Sequence, residues 1–325
     1  MINNKNSTKQ QEEAIKIYII YYILPPLSKI IKELRELNES YNIKNFNNTK
    51  EKSIDERVVY FKEIFDINNS INKYLLKGDK LLLLNNIEKV HEYVVKIKYE
   101  GRCRAELSYY LAYLYFHKFE SENEKTINYA KDAIKYAQKH GMSEIECAAK
   151  GYMAMSLLLK DNIEKEEISI IEPYILDAVD HYNRLKDNLT LSLLYSFLAC
   201  FYYSHKNNSI KSSELYKISY EYAKKADANS IKKDIKIQVK RFISNSINKK
   251  LYKDAGYMSC ALANINEKDG DKKKALYYYN LAINNFIFSN NIDEASKVRE
   301  SMRKLEQELS LIQRWMSKLG IYNLF

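Results

Sequence analysis

The sequence predicts an all-α protein, and three observations carry that prediction. Only 7 Gly and 3 Pro stand among 325 residues, too few to punctuate strands and hairpins. Leu, Lys, Glu and Ala fill long runs instead. Small residues recur in those runs at the spacing of one helix face. With 46% hydrophobic residues the chain can bury a substantial core, as one long array or as two or three smaller domains. The 29 Tyr, with abundant Asn, Ile and Lys, match the bias an AT-rich coding sequence imposes, so no single Tyr or Asn is informative by its presence alone.

The elements follow in order. Residues 1–10 are polar and read as a frayed end. Gln11 to Leu24 reads as a helix stopped by Pro25-Pro26, and Pro26 suits the first turn of the next helix, to about Ser40, because its missing N–H would be unpaired there anyway. An Asn- and Lys-rich linker spans Tyr41 to Lys52. Ser53-Ile54-Asp55-Glu56 has the form of a helix start, cap first and acid three residues on, and the helix runs to about Lys77 before Gly78 stops it. A further amphipathic helix follows from Asp79 to about Tyr99.

From about Gly101 four helix pairs are readable. Leu111-Ala112 with Tyr115 lead to Thr126, Ala130 and Ala133. Met153-Ala154 with Leu157 lead, past the acidic stretch Glu164 to Glu167, to Tyr174 and Ala178. Leu198-Ala199 with Tyr202 lead to Ser212, Tyr216 and Ser219. Leu262-Ala263, Gly270 at a turn, then Ala275, Tyr279 and Ala282 form the clearest copy. Small residues at these places let paired helices approach closely, which is what a stacking unit needs.

These residues resemble the tetratricopeptide repeat (TPR) family over about residues 101 to 290. The small residues Ala112, Ala154, Ala199 and Ala263 are 42, 45 and 64 residues apart, against a standard unit of roughly 34. No copy has the family's early Trp or closing Pro. The resemblance implies a right-handed superhelical array of TPR-like helix pairs, with an N-terminal helical region over 1–99, the array over 100–290 and a C-terminal capping helix over 291–325. It also implies a concave groove lined by the first helix of each pair. Carried over position by position, the groove residues are Tyr109, Tyr113, Phe116 and His117; Met155; Ser196, Cys200, Tyr203 and Ser204; and Asn264, Glu267 and Lys268. They form a mixed aromatic and polar set suited to a peptide or protein partner, the alternative being core between neighbouring helices. The layout is also similar, more loosely, to the Rap, NprR and PlcR group of peptide-pheromone receptors, without a recognisable DNA-binding helix-turn-helix in the first hundred residues.

The 64-residue interval leaves room for one extra helix, about Ser230 to Asn248, read as a divergent half-repeat. After the last copy, Ala295, Val298, Met302, Leu305, Leu309, Ile312, Met316 and Leu319 recur at alternating steps of three and four. That seam fits a helix covering the last pair, or else a homodimer through this helix.

The net charge of +10 is concentrated. Between Lys224 and Lys253 stand ten basic residues against Asp227 and Asp234. Lys232, Lys236, Lys240 and, one step aside, Lys233 share a helix face, with Arg241 beside them, a stripe that suits an acidic protein or nucleic acid or is simply a solvated face. No phosphate loop, GxSxG or HExxH occurs, and the five His are scattered, so no enzyme activity, catalytic residue, cofactor or metal site is expected. Acid pairs such as Glu120 with Glu122, or Glu166 with Glu167, read as solvated charge. Cys103, Cys147, Cys200 and Cys260 lie more than forty residues apart and read as reduced, with Cys103, between two Arg, the one placed to be a regulatory thiol. Ile17 to Leu24 is too short to span a bilayer and lacks an export cleavage site. The expectation is a cytoplasmic protein with no membrane contact, acting as an adaptor or regulator that binds a peptide or protein segment. The competing readings are a nucleic-acid-associated regulator and a structural subunit of a larger assembly.

Overall fold

The computed structural model describes residues 102–118 and 123–309, together with Leu84, Asn85, Ile87, Glu88, His91, Glu92 and Val95. The helices expected at 11–24, 26–40 and 53–77, the linker at 41–52, and the seam positions Ile312, Met316 and Leu319 lie outside the described residues. Among the described residues the fold is all-α. The ten complete helices are α1 (Arg102–Lys118), α2 (Asn123–Lys139), α3 (Ser143–Leu157), α4 (Lys165–Leu185), α5 (Asn188–Ser204), α6 (Ser209–Lys225), α7 (Asn229–Asn248), α8 (Tyr252–Lys268), α9 (Lys272–Phe288) and α10 (Ile292–Gln307). The described positions between 84 and 95 are also helical and fall within the helix expected from Asp79.

Two compact units contain these helices, Met1–Ile163 and Glu164–Phe325. In the first, α1 packs on α2, and α3 packs on both. In the second, each helix from α4 to α10 packs on the next. The small residues are the reason the backbones come so close: Ala112, Ala130, Ala133, Ala154, Ala178, Ala199, Ser212, Ser219, Ala263, Ala275 and Ala282 are all fully buried. Where serine replaces alanine, the hydroxyls stitch α5 to α6. Ser212 Oγ donates to the Ala199 carbonyl at 2.7 Å, Ser219 Oγ to the Ser192 carbonyl at 2.7 Å, and Ser192 Oγ to the Ser219 carbonyl at 2.9 Å. Each buried hydroxyl is thereby satisfied by the opposite backbone.

The turns repeat one solution. A single residue with positive φ follows the helix at Gly141, Lys186, Asn207, Asp227, Lys250, Gly270 and Asn290. The next N–H then folds back to a carbonyl of the last helical turn, as in Asp271 N to Asn266 O at 2.9 Å and Leu251 N to Ser246 O at 2.8 Å. This left-handed cap pairs carbonyls that would otherwise be orphaned and reverses the chain in two to four residues. The acidic stretch before α4 starts a helix: the Glu167 carboxylate accepts from the Glu164 N–H at 3.1 Å.

The expected extra helix is α7, and it has a specific geometric effect. Ser196 pairs with Gln238 and Tyr203 with Ser246, so α5 and α7 run parallel. Ser209 pairs with Asp254 and Glu221 with Lys268, so α6 and α8 also run parallel. Two helices, α6 and α7, thus lie between those of Ala199 and Ala263 where a regular repeat has one, which accounts for the 64-residue interval. The motif-bearing α8 stands beside α6, a second helix of the preceding pair, and not beside α5.

The end of this unit is closed by α10. Ala295, Val298, Leu305 and Leu309 are buried against Ala263, Ala275, Leu276, Tyr279 and Phe286, with Met302 packed partly on them. The five described seam positions are therefore packed within their own chain, as capping requires. Gly256 of α8 allows a close contact with α9: a Cβ there would fall 2.6 Å from a ring carbon of the fully buried Phe286.

Candidate functional site

On α1 the four candidate residues gather around one ring that sequence reasoning passed over, Tyr152 of α3. Ring centroids of Tyr109, Tyr113, Phe116 and His117 lie 6.2, 5.7, 5.4 and 5.7 Å from that of Tyr152. Tyr109 and Tyr113 are buried, while Phe116 and His117 are half-buried. Met155 is buried as well. The cluster is the packing between α1 and α3, the core alternative for these positions, and it leaves an open edge only at Phe116 and His117.

That packing makes His117 pH-sensitive. Burial pushes its imidazole down to about 4 from 6.5, because the charged ring loses water without gaining a carboxylate. The unfolded chain therefore binds the extra proton. Stability from this residue is intact above pH 6.5 and falls as pH drops towards 4. Unfolding at stepped pH should show a loss on the order of 1–3 kcal/mol across that window, and His117→Gln should flatten it. An unchanged slope in the variant would contradict the assignment.

The α5 candidates face α7. Ser196 Oγ donates to Gln238 Oε1 at 3.1 Å. Tyr203 stacks on Phe242 with centroids 4.0 Å apart, and its hydroxyl donates to the Phe242 carbonyl at 3.1 Å and lies 2.5 Å from Ser246 Oγ. Cys200 is half-buried with its thiol raised by burial, and Ser204 is exposed. Cys260 is pushed up to about 12 by burial, so neither thiol has the thiolate character of a reactive cysteine. Cys147 is half-buried, and Cys103 stands in the first turn of α1.

The α8 candidates are spread elsewhere. Asn264 Nδ2 donates to its own helix at the Cys260 carbonyl, 2.8 Å away. Glu267 accepts from Tyr279 of α9 at 2.7 Å, and Lys268 pairs with Glu221 of α6. The structure brings the α1 set together and joins the α5 set to α7. It does not merge the α5 and α8 sets, because α7 has shifted α8 into the other layer.

The basic stripe is split by the same packing. Lys236 pairs with Asp269, which also accepts from the Tyr220 hydroxyl, so one carboxylate ties α6, α7 and the end of α8 together. Burial would raise the Asp269 carboxyl, yet the hydrogen bonds from Lys236 and Tyr220 hold it below the usual range. Lys232 lies 3.9 Å from Asp227. Lys233, Lys240 and Arg241 are exposed and make no ion pair among the described residues. Ile237, Lys240, Arg241, Ser244 and Asn245 border a surface hollow of about 360 Å³.

One polar cluster was not foreseen. Arg104 grips Asp132 with Nε and Nη2 both at 3.0 Å, Ser108 Oγ donates to Asp132 at 3.0 Å, and His91 Nε2 lies 2.9 Å from Ser108 Oγ and 3.2 Å from Asp132 Oδ2. Serine, histidine and aspartate meet here, but the hydroxyl is fully buried and only one imidazole nitrogen serves both partners. A nucleophilic relay needs one nitrogen for each. The cluster fastens His91 to α1 and α2, and Glu88 is held there too, accepting from Tyr129 at 3.1 Å and from Tyr115. Glu88 and His91 fall within the helix expected from Asp79, but their partners lie 17 to 41 residues away, beyond any local signal.

Among the described residues no helix is long and apolar enough to cross a membrane, and no group of three His, Cys, Asp or Glu side chains is arranged to hold a metal ion. No family model matches the chain. No curated protein matches it. Among solved structures it is similar to the crystal structure of BtubC (BKLC) from P. vanneervenii, at 13% identity over 78% of this chain and 93% of that one, with a TM-score of 0.36. The architecture rests on the helices themselves, which among the described residues pack as consecutive antiparallel pairs.

Proposed function

We propose that the protein is a non-enzymatic adaptor or regulator of the TPR type that binds a peptide or protein segment. The observation that supports this is the parallel stacking of α5 beside α7 and α6 beside α8. Such stacking repeats a similar surface at each step, and a repeating surface matches a polypeptide better than a small compact ligand. Ser204, Glu267 and Lys268 are exposed and Cys200, Tyr203 and Asn264 are partly so, which leaves polar contacts at the ends of α5 and α8.

The nucleic-acid reading is the weaker one, since Lys232 and Lys236 are already engaged by carboxylates of the chain. The test is affinity capture with the tagged full-length chain from its native cell, followed by identification of bound polypeptide and nucleic acid. An enriched polypeptide, reduced about tenfold by Ser204→Arg with Asn264→Ala, is the expected result. Retention of nucleic acid at high salt without any enriched polypeptide would overturn the proposal.

A further inference from the structure

We infer that the outer face of α7 is a docking surface for an acidic amphipathic helix of a protein partner. The inference rests on the binding-scaffold reading above and gives that reading a partner class. Only one narrow stripe of α7 turns inward, with Ile235, Val239, Ile243 and Ser246 buried. The opposite face carries Lys233, Ile237, Lys240 and Arg241, all exposed.

Two features of that face select the occupant. The three cations have no carboxylate of their own among the described residues, whereas Lys232 and Lys236 do. Charge complementarity therefore calls for carboxylates from outside. Ile237 sits among the cations at the edge of the hollow of about 360 Å³, so an apolar side chain of the partner has a contact there beside the charges. Lys233 and Arg241 are eight residues apart, roughly 12 Å along the helix, about two turns of a partner helix. A polyanionic strand fits less well. None of these side chains is aromatic, so bases have nothing to stack on.

The probe is a fluorescein-labelled helical peptide with Leu repeated at steps of three and four and Glu on its flanks. A scrambled peptide of identical composition and a single-stranded RNA oligonucleotide are the comparators. Anisotropy titration against the full-length protein should show the patterned peptide binding about tenfold or more tightly than the scrambled one. Lys240→Glu with Arg241→Glu should weaken it by a further tenfold or so, and Ile237→Ser should weaken it without altering charge. These side chains are exposed, so circular dichroism should be unchanged and the loss readable as a loss of binding.

Equal binding of patterned and scrambled peptides, tighter binding of RNA, or indifference to Ile237→Ser would each overturn the proposal. Native captured polypeptide that is lost with Ser204→Arg and Asn264→Ala but retained with the α7 charge reversals would overturn this inference while leaving the scaffold reading standing.

Discussion

Phe286→Ala should destabilise the unit containing α8, α9 and α10 by about 3–5 kcal/mol, the range for truncating a fully buried aromatic ring. Phe286 belongs to the cluster that α10 closes, and it lies against Gly256 so tightly that no Cβ fits between them. Gly256→Ala alone should also be destabilising, by about 1–3 kcal/mol, even though alanine is the better helix former by roughly 1 kcal/mol. The two changes should not add. With the ring gone, the new methyl group enters the vacated space, and the double variant should be more stable than the sum of the singles by over about 1 kcal/mol. Urea unfolding followed by circular dichroism measures all three. Simple additivity would mean that the backbone at Gly256 does not rest on this ring.

Asp132→Ala should have an effect of similar size in the other unit, about 3–5 kcal/mol, because it strands a largely buried guanidinium together with the Ser108 hydroxyl and the His91 ring. Burial works to raise the Asp132 carboxyl, but hydrogen bonds from His91, Arg104 and Ser108, with the Arg104 charge, hold it far below the usual range. A depressed carboxyl contributes stability that is complete above its unfolded value near 4 and is lost only as pH falls towards the folded value, deep in acid. Asp132→Ala should therefore show its full effect at neutral pH and a shrinking one below about pH 4. Thermal unfolding of the variant and the parent at pH 7 and pH 2 provides the comparison, and a pH-independent difference would rule out the charge as the source.

Much of the fold could be read locally. The extra helix expected from Ser230 to Asn248 is α7, the small residues of every copy are buried, and the seam from Ala295 to Leu309 covers α9. Each of these is a pattern within one helix, where a period of three and four residues states which side turns inward. The candidate site was less legible because it depends on what each helix meets. Tyr113 and Phe116 share one helix and one residue class, yet the first is buried beside Tyr152 and the second keeps an open edge. Ser196 and Tyr203 have the spacing of groove residues, but α7 lies over them. His91 is 41 residues from Asp132, and nothing in either segment announces the other.

The odd helix α7 acts on the array as a single inserted base acts on a reading frame. An insertion of two helices would leave every later motif on its original side. One helix shifts the frame, so the best-preserved motif of the chain, on α8, is read out on the layer of α6 instead of that of α5. Two sequences with the same small-residue signature can in this way present opposite faces to a partner, and counting helices modulo two from the preceding copy tells which face it is.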